Sequence, residues 1–350
     1  MARADKSSPS LPKREKRTLG VIALCAIIMF FGGLVLASYA ALNYRYEARP
    51  SAPEAAIIFN VPKGSGLSSI AANLEKNDLV SSAFVFKAVT KLRGGEAAFK
   101  AGEYAVPGNA SMAEVFEILS SGRSVQYPFT APEGLTSAMI TRALDGVGTL
   151  IDDNPAVPAE GTLLPETYLT PRGMKQSELL QQMARAQMKL LDDLWDKRAE
   201  GLPVKTKKEA IILASIVEKE TGIGAERDKV AGVFINRLNK GMRLQSDPTI
   251  IYGVSKGEIL RNKAGKRRGI YRSEIDRKTD WNTYQIDGLP KTAICNPGAE
   301  AIRAVLNPAK TDAFYFVADG TGGHAFAKTL REHERNVAKW RKIERARKRQ

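Results

Sequence analysis

The hydrophobic and polar positions divide the chain into one uninterrupted apolar run and a longer region of short, periodic elements. The run from Leu19 to Leu42 contains no charged residue. It exceeds the roughly 20 apolar residues that span a bilayer. A cleaved signal peptide has a shorter apolar core of about 7 to 15 residues, although the small residues at Leu36–Ala40 leave cleavage open. We therefore predict a retained transmembrane helix at 19–42.

The residues before this helix indicate its orientation. The first 18 residues carry six basic and two acidic side chains. Because positively charged flanks remain on the cytoplasmic side, the N-terminus is predicted to be cytoplasmic. Everything after Tyr44 then lies across the membrane. Residues 47–56 are rich in proline and alanine, which is typical of an extended linker.

A small mixed module is predicted after the linker. Apolar spacing and turn residues predict strand, helix, helix, strand and helix, in that order. Ser111 and Glu114 have the spacing of a capping box, so they mark the start of the last helix. These elements lie near Ile57–Gly64, Leu67–Leu74, Ala83–Leu92, Ala101–Ala110 and Ser111–Gly122. Their arrangement resembles the LysM-like module of cell-wall proteins.

The next stretch loosely repeats the start of that module. A strand at 125–134 is followed by a helix after Leu135, so we group it with the module. Residues 160–170 contain Gly161 and Pro165 and are predicted to form a loop. Helical patterns then cover 174–200 and Glu209–Gly222.

The net charge of +15 is confined to three segments. The N-terminal tail, Arg261–Lys278 and Arg331–Gln350 carry +4, +6 and +6, so the rest of the chain is nearly neutral. This distribution argues against nucleic-acid binding. We interpret the basic segments as solvated surface, with anionic lipid headgroups or acidic wall polymers as an alternative partner. The two cysteines predict neither a disulfide nor a metal site.

Two glutamates end the apolar helix predicted at 209–222. Helical spacing puts Glu218 beside Ile211 and Ala214, whereas Glu220 lies beside Leu213 and Ile216. The two carboxylates are about 160° apart around the axis. They cannot form the carboxylate pair that flanks one bond in a glycosidase. Periodicity does not decide which of them is functional, and a structural role for both stays open.

Five motifs follow one another in the second half of the chain. They are "LASIVEKETG" (213–222), "VFINRL" (233–238), "LQSDPTIIYG" (244–253), "NTYQIDGLPKTAICNPG" (282–298) and "FYFVADGTGGHAFAKT" (314–329). In order and spacing they resemble the bacterial YceG-like family of endolytic murein transglycosylases. The resemblance covers nearly the whole region after the linker. It implies an α+β catalytic domain behind one membrane anchor and a LysM-like module.

The resemblance implies that Glu218 is the catalytic residue. Lytic transglycosylases cleave the β-1,4 bond between N-acetylmuramic acid and N-acetylglucosamine without water. Glu218 would protonate the glycosidic oxygen and then deprotonate the C6 hydroxyl of the muramic sugar. That hydroxyl attacks its own anomeric carbon, so an intramolecular nucleophile replaces a second carboxylate. The product is a 1,6-anhydromuramic end.

The other motifs are expected to form the sugar-binding groove. Asp247 precedes Pro248 and has the form of a helix N-cap, so capping is the expected role of its carboxylate. His324 lies in a glycine-rich hairpin without a second metal ligand at useful spacing, and no cofactor or metal is expected. The candidate substrate-binding residues are Ser215, Gln245, Ser246, Asp247, Asn282, Thr283 and Tyr284.

The sequence thus predicts an α+β enzyme of the cell inner membrane with a periplasmic catalytic domain. The resemblance implies peptidoglycan strands as substrate and peptidoglycan synthases as partners. Two alternatives are a hydrolytic muramidase that uses Asp247 as second carboxylate, and a catalytically inactive wall-binding anchor. The predicted segments are a basic tail (1–18), a membrane helix (19–42), a linker (43–56), the LysM-like module with the following strand and helix (57–159), the catalytic domain (160–338) and a basic tail (339–350).

Overall fold

The fold is described from a computed structural model of the 350-residue chain. The structure describes residues 13–51, 54–95 and 99–347. The chain forms two compact units that divide between Val125 and Gln126. Each unit has its own hydrophobic core.

The first unit begins with a long apolar helix. Helix α1 spans Lys13–Glu47, and its segment Val21–Glu47 is long and apolar enough to cross a membrane. Its large side chains between Val21 and Leu36 are exposed. An apolar helical segment with exposed large side chains is typical of a membrane anchor or a signal sequence.

The rest of the first unit has the predicted order of strand, helix, helix, strand and helix. Its two strands are antiparallel, with Phe59 opposite Tyr104, and both of these rings are buried. The capping box of Ser111 and Glu114 is present, which confirms that prediction. The elements are β1 (Ala56–Val61), α2 (Leu67–Lys76), α3 (Ala83–Leu92), β2 (Gly102–Pro107) and α4 (Met112–Ser121).

The second unit is a mixed α+β structure in which helices predominate. It contains two small antiparallel sheets among the described residues, β3 with β4 and β5 with β6. Its elements are β3 (Gln126–Thr130), α5 (Ser137–Leu144), β4 (Thr167–Pro171), α6 (Gln176–Trp195), α7 (Lys207–Glu220), α8 (Gly224–Asn239), α9 (Asp247–Ser255), α10 (Arg272–Ile275), α11 (Ala299–Leu306), β5 (Tyr315–Ala318), β6 (His324–Ala327) and α12 (Leu330–Arg347).

The segment predicted as a loop at 160–170 contains the start of a strand, so that part of the prediction is wrong. Residues Thr167–Pro171 form β4 and pair with β3, with Tyr168 opposite Phe129. Burial alternates along β4, with Tyr168 and Thr170 inside. Gly161 and Pro165, the turn residues that indicate a loop, both lie before the strand.

Residues 126–159, which the sequence pattern grouped with the first module, pack in the second unit. Phe129, Ile140 and Leu144 share a hydrophobic core with Leu179 and Met183 of α6. The physical reason is burial, because the apolar sides of β3 and α5 are covered by α6.

Helix α7 forms the centre of the second unit. Its residues Ala210–Val217 are all buried, and α7 packs against both α8 and α11. Thr206 and Glu209 form a capping box at its start. A helix that is covered on every side needs no polar face over that stretch. Charged side chains return only in its last turn, where Glu218 and Glu220 lie.

Two glycines of this unit allow a matched test of packing around α7. Gly161 and Gly173 both have φ of +82°, so alanine at either position costs about 1–2 kcal/mol of left-handed strain. A Cβ on Gly161 would lie 2.6 Å from Ile211 and 2.7 Å from Ala293, whereas a Cβ on Gly173 meets nothing within 4 Å. We expect Gly161→Ala to cost about 1–3 kcal/mol more than Gly173→Ala in chemical denaturation, because overpacking adds to strain.

Candidate active site

The carboxyl group of Glu218 is held by charged and backbone partners. Its Oε2 accepts a hydrogen bond from the backbone N–H of Gly298 at 3.0 Å, directly before α11. Its Oε1 lies 3.9 Å from Nη2 of Arg227, and the side chain is 7% exposed. Burial raises the pKa of Glu218, and the Gly298 hydrogen bond and Arg227 oppose this shift. A carboxylate at a helix N-terminus beside a guanidinium is well placed to stabilise structure.

Glu220 lies in different surroundings, as helical geometry predicted. Its Oε1 accepts a hydrogen bond from the hydroxyl of Ser246 at 2.5 Å. Burial is the largest cause that raises its pKa, to about 7, and the nearby carboxylate of Asp247 adds to this. Such a carboxyl group can hold a proton near neutral pH and give it to a bound group.

A cavity of about 450 Å³ opens beside Glu220. Four polar side chains contribute to its wall near that carboxyl group: Gln245, Asp247, Tyr284 and His324. The aromatic rings of Tyr315 and Phe316 line another part of it. This combination of amide, carboxyl, hydroxyl and ring surfaces suits a ligand with many hydroxyl and amide groups.

Threonine hydroxyl groups connect the chain segments around Ser246 and Thr283, next to this cavity. The backbone N–H of Ser246 donates to Oγ1 of Thr283 at 2.9 Å, and Oγ1 of Thr249 lies 2.9 Å from the same oxygen. The phenol of Tyr284 donates to Asp247 at 2.8 Å. Gln245 has a positive φ of 49°. Together with the hydrogen bond from Ser246 to Glu220, these bonds fix the positions of Ser246 and Asp247 relative to the end of α7.

Arg237 of α8 ties the same loop to the final hairpin. Its guanidinium donates to the carbonyls of Phe314 at 2.7 Å and Leu244 at 2.8 Å, and to that of Arg243 at 3.3 Å. Burial is the largest influence on the pKa of Arg237 and lowers it. One buried side chain therefore holds both the start of the Gln245–Asp247 loop and the entry to β5.

The structure brings most of the predicted substrate-binding residues to Glu220 and not to Glu218. Gln245, Asp247 and Tyr284 line the cavity, and Ser246 contacts Glu220 directly. The predicted N-cap of α9 is shifted by one residue. Ser246 occupies that position, its hydroxyl makes no capping bond, and Asp247 is the first helical residue.

The remaining predicted site residues are buried and support the framework. The Ser215 hydroxyl donates to the carbonyl of Ile212 and accepts from the N–H of Ile294, so it does not bond Glu218. The side-chain amide of Asn282 donates to three carbonyls of residues 274–277. Thr283 is fully buried, and its hydroxyl group bonds the backbone N–H of Ser246 and the hydroxyl of Thr249.

Sequence reasoning missed Arg237 and the pair formed by His324 and Glu226. Arg237 stands in the "VFINRL" motif, but a single arginine on a helix gives no signal that its head is buried. In the sequence, His324 suggests only a metal ligand, because Glu226 lies far away along the chain. Among the residues that the structure describes, no group of three or more histidine, cysteine or acidic side chains could hold a metal ion.

These observations define a general class, an α+β protein with a buried carboxylic acid at one wall of a polar cavity. A model of the YceG-like family matches residues 59–339. The chain belongs to the YceG-like family.

This chain is similar to several named proteins. An endolytic murein transglycosylase of Bacillus subtilis strain 168 is 30% identical over 80% of this chain and 84% of its own length. The endolytic murein transglycosylase of Streptococcus pneumoniae strain D39 is 28% identical over 81% of this chain, which spans 58% of the pneumococcal protein. A 2.6 Å crystal structure of a yceG-like protein from Listeria monocytogenes is 26% identical, with a TM-score of 0.49 over 80% of this chain and 98% of that one.

Proposed function

We propose that this protein is a peptidoglycan lytic transglycosylase whose catalytic acid is Glu218. The observation that carries the proposal is the buried carboxyl group of Glu218 in the last turn of α7, which is 7% exposed and accepts the backbone N–H of Gly298. The relatives named endolytic murein transglycosylases support murein as the substrate and cleavage inside the strand. Cleavage of newly made strands, which would end their elongation, is part of the same proposal.

The proposed reaction needs one acid and no water. Protonated Glu218 gives its proton to the glycosidic oxygen as the bond from that oxygen to C1 of the muramic sugar breaks. The C6 hydroxyl of the same sugar attacks C1, and the Glu218 carboxylate takes the proton of that hydroxyl. Because the nucleophile belongs to the substrate, a high effective concentration replaces an activated water molecule. The products are a free C4 hydroxyl and a 1,6-anhydro end.

Glu218 is the acid that the family resemblance implies, and its surroundings suit that role. Burial is the largest cause that raises the pKa of Glu218, and the charge of Glu133 adds to this shift. The backbone N–H of Gly298 and the nearby Arg227 oppose the shift, and they would stabilise the carboxylate that remains after proton transfer. The polar cavity beside Glu220 contains several of the residues predicted to bind sugar.

Asp247 favours a second candidate function, hydrolysis. It lines the same cavity as Glu220, and its position in the first turn of α9 favours a charged carboxylate. Two carboxyl groups across one cleft could activate water instead of the substrate hydroxyl. A hydrolytic muramidase would leave reducing ends, so the products separate the two reactions.

The N-terminal part supports an anchored enzyme. The exposed apolar helix α1 would hold it in the inner membrane with a cytoplasmic N-terminus and a periplasmic active site. The two-stranded unit with α2 and α3 between its strands has the order of a LysM-like module, which would bind glycan. Peptidoglycan synthases are the partners that this location would bring nearby.

The raised pKa of Glu220 predicts a specific effect on stability. Its folded pKa of about 7 exceeds the ordinary 4.5, so the folded state binds more protons between these values. The free energy of unfolding therefore falls as pH rises through this window. Above pH 7 the loss is on the order of 3 kcal/mol. Glu220→Gln should unfold at higher denaturant concentration than wild type at pH 8 and show little difference near pH 4. The exposed Glu117→Gln variant serves as control, and an equal change at both pH values would contradict the assignment.

Product analysis tests the proposed function. The detergent-solubilised full-length protein is incubated with peptidoglycan, and the fragments are analysed by mass spectrometry. Anhydromuramic ends inside the strands support the proposal. Reducing ends would indicate the hydrolase, and an absence of cleavage would leave a binding protein.

A further inference from the structure

The loop between β3 and α5 brings a second carboxyl group, that of Glu133, to the Glu218 site. Oε2 of Glu133 lies 3.9 Å from Nη2 of Arg227. The same nitrogen lies 3.9 Å from Oε1 of Glu218. The Glu133 side chain is 44% exposed, whereas those of Arg227 and Glu218 are 10% and 7% exposed. One buried guanidinium therefore lies between a buried carboxyl group and one that solvent reaches.

The loop that carries Glu133 is fixed by hydrogen bonds on two sides. The backbone N–H of Gly134 donates to the carbonyl of Asn296 at 3.1 Å, and the N–H of Asn296 donates to the carbonyl of Leu135 at 2.9 Å. Nζ of Lys219 donates to the carbonyl of Gly134 at 3.2 Å. The loop is thus joined to α7 and to the segment before α11, so the position of the Glu133 backbone is set by the fold.

Gly298 leaves the space that the Glu133 carboxyl group occupies. A Cβ on Gly298 would overlap that carboxyl group. The φ of Gly298 is −72°, which any residue can adopt, so the close approach of Glu133 is what requires glycine here. The N–H of the same residue donates to Glu218. Glu133 therefore packs directly against the backbone that holds the catalytic carboxyl group.

The Arg227 guanidinium is close to both carboxyl groups but is hydrogen-bonded to neither. A charge-assisted N–H···O bond is about 2.7–2.9 Å long, and both distances here are 3.9 Å. Nε of Arg227 is buried and has no hydrogen-bond partner among the described residues. A displacement of about 1 Å toward either carboxylate would form a charge-assisted hydrogen bond there.

The two steps of the proposed reaction place opposite demands on Glu218. It must first hold a proton, and it must then be a stable anion until the C6 hydroxyl returns one. The negative charge of Glu133 raises the pKa of Glu218, and the positive charge of Arg227 lowers it. Protonated Glu218 attracts the guanidinium weakly, whereas ionised Glu218 competes with Glu133 for it.

We propose that Glu133 is a positioning residue that draws Arg227 away from protonated Glu218, and that Arg227 moves to Glu218 when the proton passes to the glycosidic oxygen. This inference rests on the proposed function. It adds no bond-making step to that reaction, because only the guanidinium changes partner. When Glu218 recovers a proton from the C6 hydroxyl, Arg227 returns toward Glu133.

Two further ionisable groups face Glu218. Lys219 on α7 carries a positive charge that lowers the pKa of Glu218. Cys295 lies before α11, and burial raises the pKa of its thiol, so it stays neutral near pH 7. Neither group lies between the two carboxylates as Arg227 does.

The pH profile of kcat/KM tests this exchange. The detergent-solubilised full-length protein is assayed for anhydromuramic ends across pH at constant ionic strength. Activity needs protonated Glu218, so the limb at high pH reports its loss of a proton in the free enzyme. We expect Glu133→Gln to move this limb to lower pH by roughly 0.5–1, because the charge that favours the protonated form is gone.

Replacement of Arg227 is expected to move the same limb in the opposite direction. Arg227→Gln removes the charge that favours ionised Glu218, so the limb should move to higher pH and kcat should fall by about tenfold or more. Arg227→Lys keeps a positive charge and should return the limb most of the way to the wild-type position. A variant that only loosens the fold lowers the rate at every pH and leaves the limb in place.

Glu300→Gln is the matched control. It makes the same change in the first turn of α11, where the Glu300 carboxylate is 59% exposed and pairs with Arg303. Its limb should coincide with that of wild type. An unmoved limb in Glu133→Gln, or an equal shift in Glu300→Gln, would overturn the proposal.

The failure of this inference can be distinguished from the failure of the proposed function. If Arg227→Gln does not fold, Glu133→Gln decides, because the Glu133 side chain is partly exposed. Wild-type protein that yields no anhydro ends would refute the proposed function itself. Active variants whose limbs do not move would refute only the exchange of Arg227 between the two carboxylates.

Discussion

Replacement of Glu218 by glutamine is expected to lower the rate of glycan cleavage by at least about 10³-fold, the largest effect of any single substitution. The amide keeps the size of the side chain, but it has no proton to give to the glycosidic oxygen. Binding of intact glycan strands should persist. The measurement is the rate of formation of anhydromuramic ends by liquid chromatography and mass spectrometry at saturating substrate.

Glu220→Gln is the matched control, because it makes the same change two residues later on the same helix. The side chain of Glu220 accepts a hydrogen bond from the Ser246 hydroxyl, and the amide oxygen of glutamine can still accept it. The cleavage rate should therefore stay within about tenfold of wild type. An inactive Glu220→Gln variant beside an active Glu218→Gln variant would contradict the assignment of Glu218.

Replacement of Arg237 by methionine is expected to cost about 3–5 kcal/mol of folding free energy. Methionine is also a long side chain, but it is apolar and has no N–H group. The carbonyls of Leu244 and Phe314 therefore lose a donor in the protein interior. The Gln245–Asp247 loop is also released, so KM for glycan should rise along with the loss of stability. Chemical denaturation and steady-state kinetics on the same preparation measure both effects.

Arg243→Met is the control for loss of an arginine head group from the same region. Arg243 is about half exposed and pairs with Asp287, so we expect a change of no more than about 1 kcal/mol. Equal destabilisation by the two variants would show that burial of the Arg237 head group does not cause the loss of folding free energy.

Much of the secondary structure could be predicted because local signals agreed with burial. The capping box at Ser111 and the apolar spacing of α2 and α3 are local properties, and each fixes an element within a few residues. The apolar stretch of α7 is equally clear. Strand β4 was missed because a five-residue strand beside Gly161 and Pro165 gives a weak pattern, and its partner lies about 40 residues earlier.

The candidate site was harder to predict because its decisive contacts are long-range. Helical geometry correctly separated Glu218 from Glu220, but it could not show which loop covers each carboxyl group. That depends on Ser246 and Gly298, which are distant in sequence from α7. The pairing of His324 with Glu226 spans 98 residues and leaves no periodic trace in the sequence.

Cleavage in water enriched in heavy oxygen tests the central claim most directly. Full-length protein is incubated with peptidoglycan in this solvent, and the new glycan ends are examined by mass spectrometry. We predict anhydromuramic ends without heavy oxygen, because the attacking oxygen comes from the substrate. Reducing ends that carry one heavy oxygen atom would contradict the account and identify a hydrolase.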